Sequence, residues 1–282
     1  MRKQEVILTI NLYTTTKVVL DLFVLASWLE EIDHHYVISQ IKVEGADPST
    51  LSDFYLDLLI KLCSNYTSNI IMVTSLQELN RTLINDNVTL QVYLPFNTYS
   101  QDKSGFSKVV NNIKAIGFNK VLTAFSYIDD CVGLDKDNII LLLNQLSLKS
   151  WELRHNLAQK SPIKESEQLI TEYLNLKEGM NFALINDYKL NHIQPIRNYF
   201  NSIYLYINPE GSISHYFYDN DGNLVKGVYT DILDIQKDLD EENLRVSKYC
   251  VNCPFKLYCL AETINPTIMG SSCSGYKSLL QK

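Results

Sequence analysis

Four cysteines stand near the end of the chain: Cys250, Cys253, Cys259 and Cys273. Two residues separate the first pair, five the second and thirteen the third. Thiolates two residues apart can turn round one metal ion, and longer returns let the chain complete a tetrahedron. Sulfur-only ligation suits zinc or an iron–sulfur cluster, and spacing alone leaves both open. The other two cysteines, Cys63 and Cys131, stand singly among apolar residues and read as ordinary buried thiols. Elsewhere the chemistry is thin. His34 and His35 are adjacent, which suits a helix C-terminus better than one metal ion. Asp219 to Asn223, "DNDGN", opens like a calcium loop but lacks the bidentate Glu a dozen residues on, so it reads as a hairpin turn. There is no phosphate loop, no Ser–His–Asp set and no dinucleotide fingerprint.

The elements that must position these residues follow from periodicity. Residues 5–13 read as a strand and 17–32 as a helix, with apolar residues recurring at three and four. "YVISQIKVEG" is a strand, and "STLSDFYLDLLIKLC" a helix opened by Ser49 or Thr50. "NIIMVTS", "VTLQVYLPFN" and "KVLTAFSYI" are further strands. The helices "GFSKVVNNIKAIG", stopped by Gly117, and "DKDNIILLLNQLSL" follow the last two. Short apolar strands alternating with helices imply a parallel sheet with crossover helices, a partial barrel or a doubly wound sheet. Beyond residue 160 the pattern changes. After one more helix, "SIYLYINPEGSISHYFYDNDGNLVKGVY" reads as antiparallel strands turned at Pro209-Glu210-Gly211, then "YTDILDIQKDL" as a helix capped by Thr230. The boundary falls near residue 190, giving units 1–190 and 191–282.

Composition bounds the rest. The 282 residues are 46% hydrophobic, enough for a full core, and carry a formal charge of −7. That acidity argues against nucleic acid as an obligate partner. No stretch approaches a membrane span, and the first strand lacks the marks of a signal peptide, so a cytoplasmic protein is expected. In a reducing compartment, clustered thiols favour metal over disulfides.

From about residue 200 to 275 the chain resembles a SPASM domain, the auxiliary-cluster domain of radical S-adenosylmethionine (SAM) peptide-modifying enzymes. The family's pattern is a hairpin I-x-P-x-G-x4-C, a short helix, then C-x2-C-x5-C-x3-C and a final cysteine. Here the matching pieces are "YINPEGSISHY", "YTDILDIQ", "CVNCPFKLYC" and Cys273. The resemblance implies that Cys250, Cys253, Cys259 and Cys273 bind one [4Fe–4S] cluster, with zinc as the alternative. The ligands of the family's other auxiliary cluster are replaced, Tyr216 and Thr263 standing at two of their positions. The N-terminal part resembles the radical SAM partial barrel, again with departures. The family's C-x3-C-x2-C after the first strand becomes Thr16, Leu20 and Phe23. Its G-G-E-P becomes Gly45-Ala46-Asp47-Pro48, and its T-N-G becomes Val73-Thr74-Ser75.

The resemblance thus implies an α/β chain, a degenerate radical SAM-type partial TIM-like barrel over 1–190 with a SPASM-like domain over 191–282. It implies no SAM cleavage. It also implies an accessory role in maturing a ribosomally made peptide, with the precursor peptide and an ATP-grasp ligase or active radical SAM enzyme as partners. The alternative is an enzyme that reuses the barrel for other chemistry, the remaining cluster relaying electrons. A zinc-stapled structural protein is a third reading. Loops at Tyr13–Thr16, Gly45–Pro48, Thr74-Ser75 and Pro95–Tyr99 would rim the open face of the barrel. Their hydroxyls and aromatics suit an extended peptide, unless the loops have closed over the vacated site.

Overall fold

The computed structural model describes residues 3, 5–13, 19–45, 47–154, 169, 172, 173, 175, 176, 179–184, 203–218 and 224–235. Ten strands run through them: β1 Glu5–Asn11, β2 Val37–Glu44, β3 Ile70–Thr74, β4 Val88–Tyr93, β5 Val121–Tyr127, β6 Ser150–Arg154, β7 Ala183–Leu184, β8 Ile203–Ile207, β9 Ile213–Tyr218 and β10 Leu224–Tyr229. Five helices lie between them: α1 Leu22–His35, α2 Asp53–Ser64, α3 Phe96–Gln101, α4 Lys103–Ile116 and α5 Lys136–Gln145. The described residues fall into two compact units. One holds β1–β3, α1, α2 and β8–β10; the other holds β4 from Leu90 onward, β5–β7 and α3–α5.

In the first unit the strand order is β10-β9-β8-β1-β2-β3. β1 pairs in parallel with β2 on one side and β8 on the other, Val6 facing Ile38 and Ile203. Both edges of β1 are therefore paired, and both its faces are buried, which removes the apolar–polar alternation: Val6, Leu8 and Ile10 are fully buried on one face, Ile7 and Thr9 nearly so on the other. The hairpin β8–β9–β10 is antiparallel as the alternation implies, and it continues the sheet from β1. Its first turn closes where Pro209-Glu210-Gly211 was expected to turn, with Gly211 N–H donating to Asn208 O at 2.9 Å. Gly211 has a positive φ of 86°, and a Cβ there would meet Val24 Cγ1 at 2.8 Å, so both backbone and space require glycine. Trp28 Nε1 donates to Gly211 O at 2.7 Å and fastens α1 to that turn.

In the second unit β4, β5, β6 and β7 pair in parallel in sequence order. Its core is aromatic. Trp151 is fully buried, edge-on to Phe96, Tyr173 and Phe182, and its Nε1 donates to Ser126 Oγ, which donates in turn to Leu94 O.

Several elements depart from the sequence expectation. α1 begins at Leu22, not 17, because the Asp21 side chain accepts from Phe23 N–H and caps it there. α2 is capped by Ser52; Ser49 and Thr50 instead lie in a 3₁₀ turn that Asp47 opens and Pro48 begins. Residues 232–235 are helical, and Leu233 N–H bonds Asp231, not Thr230. Pro95–Tyr99 is no open loop: α3 buries Phe96 and Tyr99. Most of the helix expected after residue 160, the "DNDGN" turn and all four C-terminal cysteines lie outside the described residues.

Candidate functional site

The C-terminal ends of parallel strands are where such sheets bind ligands, and each unit is built up there from its own residues. In the first unit the connection after β1 turns back on itself. Tyr13 bridges Val19 antiparallel, and Leu20 N–H donates to Leu12 O at 2.8 Å. Leu12 and Leu20 are both buried. Tyr55 Oη donates to Leu20 O at 2.7 Å, and burial, then the nearby Cys63, pushes its phenol upward. Phe23, three residues on, is 87% exposed.

After β2, Gly45 lies against β1. Its φ is +86°, and an added Cβ would sit 3.3 Å from Leu12 N. Two residues later Asp47 Oδ1 accepts three bonds: from Ser49 N–H at 3.0 Å, Ser49 Oγ at 2.7 Å and Thr74 Oγ1 at 2.6 Å. Thr74 closes β3, so this carboxylate ties the loop after β2 to the next strand end. On the hairpin, His215 is buried with its ring 5.6 Å from that of Tyr229.

In the second unit the strand ends carry a different group. Tyr93 ends β4 and Tyr127 ends β5, and their rings close round Phe125 at 5.4–5.8 Å. Asp130, in the turn after β5, is buried. Its Oδ2 accepts from Tyr93 Oη at 2.9 Å and from Tyr127 N–H at 3.0 Å. Burial raises the Asp130 carboxyl above the ordinary aspartate value, against those two bonds. Burial and the facing carboxylate raise the Tyr93 phenol. Sequence reading missed this pair; an aspartate just past an apolar strand was its only signal.

Cys63 and Cys131 are buried free thiols, as expected, and burial pushes Cys63 up to about 12. Such thiols are inert as ligands and nucleophiles. His34 and His35 sit in the last turn of α1, rings edge-on at 5.1 Å. Among the described residues no group of three His, Cys, Asp or Glu is placed to hold a metal, and no helix is long and apolar enough to cross a membrane.

No protein-family model matches the chain, and no curated protein matches it. Solved structures do. Native anSMEcpe with bound AdoMet superimposes with a TM-score of 0.61 at 11% identity, over 98% of this chain and 95% of that one. The chain shares the fold of that structure. Coproporphyrinogen III oxidase from Escherichia coli, a radical SAM enzyme, aligns over 65% of this chain and 44% of its own at 14% identity. Its TM-score is 0.25. On this fold the motif departures acquire positions. Leu20 and Phe23 flank the start of α1, and Asp47 and Thr74 meet at the ends of β2 and β3.

Proposed function

We propose that the chain is an accessory protein in the maturation of a ribosomally made peptide. It binds the precursor peptide, the modifying enzyme, or both, and does not cleave SAM. The observation that carries this reading is the connection after β1. It has no cysteine between Tyr13 and Trp28, and the described part of it is tied by Leu20 to Leu12 and Tyr55. Radical chemistry needs a cluster to deliver an electron, and this connection offers no thiolate to hold one.

The C-terminal cysteines supply a separate donor set. Four thiolates suit one [4Fe–4S] cluster, and zinc accepts the same ligands. In this reading Cys250, Cys253, Cys259 and Cys273 hold that centre in a SPASM-like domain, where it stabilises the fold around it. The modifying partner is an ATP-grasp ligase or an active radical SAM enzyme, in a reducing cytoplasm that keeps the thiols available. Phe96 and Tyr99 serve the core of the second unit, which leaves less of the loop surface for a peptide. Among the described residues β10 ends the sheet, and in this reading a peptide adds there as a further strand.

The test is co-expression without air alongside the neighbouring peptide and enzyme genes, followed by pull-down. Recovery of peptide or enzyme is expected. Recovery of neither, from protein with its metal intact, would overturn the proposal, as would 5'-deoxyadenosine formed by the chain alone.

A further inference from the structure

We infer that the outer face of α1 and α2 docks an amphipathic helix of a partner protein, one whose apolar stripe is flanked by lysine and arginine. The inference goes beyond the proposed function and does not depend on it, since a partner of this chemistry needs neither the metal centre nor β10.

The two helices make one surface. α1 crosses from β1 to β2 and α2 from β2 to β3, all parallel neighbours. Right-handed crossovers put both helices on the same side of the sheet, running the same way. They meet at both ends. Tyr55, in the first turn of α2, donates to Leu20 O just ahead of α1 at 2.7 Å. Tyr66, two residues past α2, has its phenol raised by burial and then by Glu30 and Asp33 of α1. The first turns are built alike. Phe23 stands two residues past the capping Asp21, and Phe54 two residues past the capping Ser52. Both rings leave the surface, Phe23 at 87% exposure and Phe54 at 75%. Leu58, one turn beyond Phe54, is exposed as well and continues the apolar stripe along α2. Rings on adjacent helices with an aliphatic side chain beyond them are anchors between which a partner helix fits its apolar face.

Charge selects the partner. α1 carries Glu30, Glu31 and Asp33 and no lysine or arginine, and α2 carries Asp53 and Asp57. Among the described residues the lysines along the pair are already engaged: Lys61 with Asp57 at 2.6 Å, and Lys3 with Asp33 O at 2.6 Å. An acidic border round apolar anchors repels a second copy of itself and an anionic membrane, and it attracts a basic segment.

Fluorescence anisotropy on the full chain tests this with two labelled amphipathic peptides of about 18 residues, one of leucine and lysine and one of leucine and glutamate. The leucine–lysine peptide is expected to bind with a Kd below about 50 µM, and the leucine–glutamate peptide not at all up to about 500 µM. Phe23→Ser combined with Phe54→Ser should weaken binding at least about tenfold and leave the circular dichroism spectrum unchanged, because both rings are exposed. Asp53→Lys, which touches neither anchor, should weaken it at least about threefold. Undiminished affinity in the double phenylalanine variant would mean that charge alone draws the peptide, and would overturn the inference, as would the absence of binding by the wild type. A dimer in light scattering, or sedimentation with vesicles containing phosphatidylglycerol, that the double variant abolishes would assign the face to a second copy or to a membrane and would overturn it too.

Discussion

Asp130 and Tyr93 make the sharpest case for reading single residues. Asp130 is buried, yet its oxygen receives a phenol and a backbone N–H. Removing the phenol leaves a buried acceptor short of one donor, so Tyr93→Phe is expected to cost about 1–2 kcal/mol in denaturant unfolding. The pH dependence has a definite sign. A carboxyl raised in the folded state binds its proton more tightly there than in the unfolded chain. Its contribution to stability is complete below the ordinary aspartate pKa and is lost as pH rises through the higher folded value. Measured against Asp130→Asn, the wild type should therefore lose stability as pH climbs from about 3 toward neutrality. Tyr93→Phe should steepen that loss, because the Tyr93 bond favours the charged carboxylate. A flat difference between wild type and Asp130→Asn would show that the carboxyl is not displaced.

At the scale of elements, caps decide more than propensity. The apolar period of α1 runs back to Lys17, but Asp21 accepts from Phe23 N–H and begins the helix at Leu22. Asp21→Ala is expected to destabilise the first unit by about 1 kcal/mol, read as a shifted denaturant midpoint. Gly45→Ala should cost at least about 1 kcal/mol, since it forces a Cβ into a left-handed backbone beside Leu12 N. Most of the strands and longer helices were legible because burial imposes its period on the sequence. β1 is a run of apolar residues, and α4 ends at Gly117 as composition alone says. Starts were less legible. Ser49, Thr50 and Ser52 are all good caps by type, and only the Pro48 turn makes Ser52 the one that opens α2. The strand Ser150–Arg154 escaped notice because two charged residues interleave Trp151 and Leu153 over a mere five positions. That no cysteine follows β1 was legible directly. The bond from Thr74 to Asp47 spans 27 residues of sequence, and no local pattern announces such a contact.

At the scale of the whole molecule, the metal and the sheet make separate claims. On the proposed function, Cys250→Ala or Cys273→Ala is expected to lose metal in elemental analysis, whereas Cys63→Ala should keep the wild-type content, because that thiol is buried and protonated. Full metal content in Cys250→Ala would mean that other groups are the ligands. The sheet makes its claim through β8. Because Val6 pairs with Ile203, a chain ended near residue 190 would leave one edge of β1 bare. Such a truncation is expected to be insoluble or to form aggregates by light scattering, and a soluble monomer would count against β1 needing β8.

That pairing sets an order of events during synthesis. The ribosome delivers β1 first and β8 almost two hundred residues later, about 10–40 s at ordinary elongation rates. For that interval β1 can find β2 but not its other neighbour, and its open edge is a template for any passing chain. The nascent protein therefore spends most of its time on the ribosome in need of an escort. Slowing translation beyond residue 100 should raise its dependence on chaperones, while slowing it before residue 5 should not.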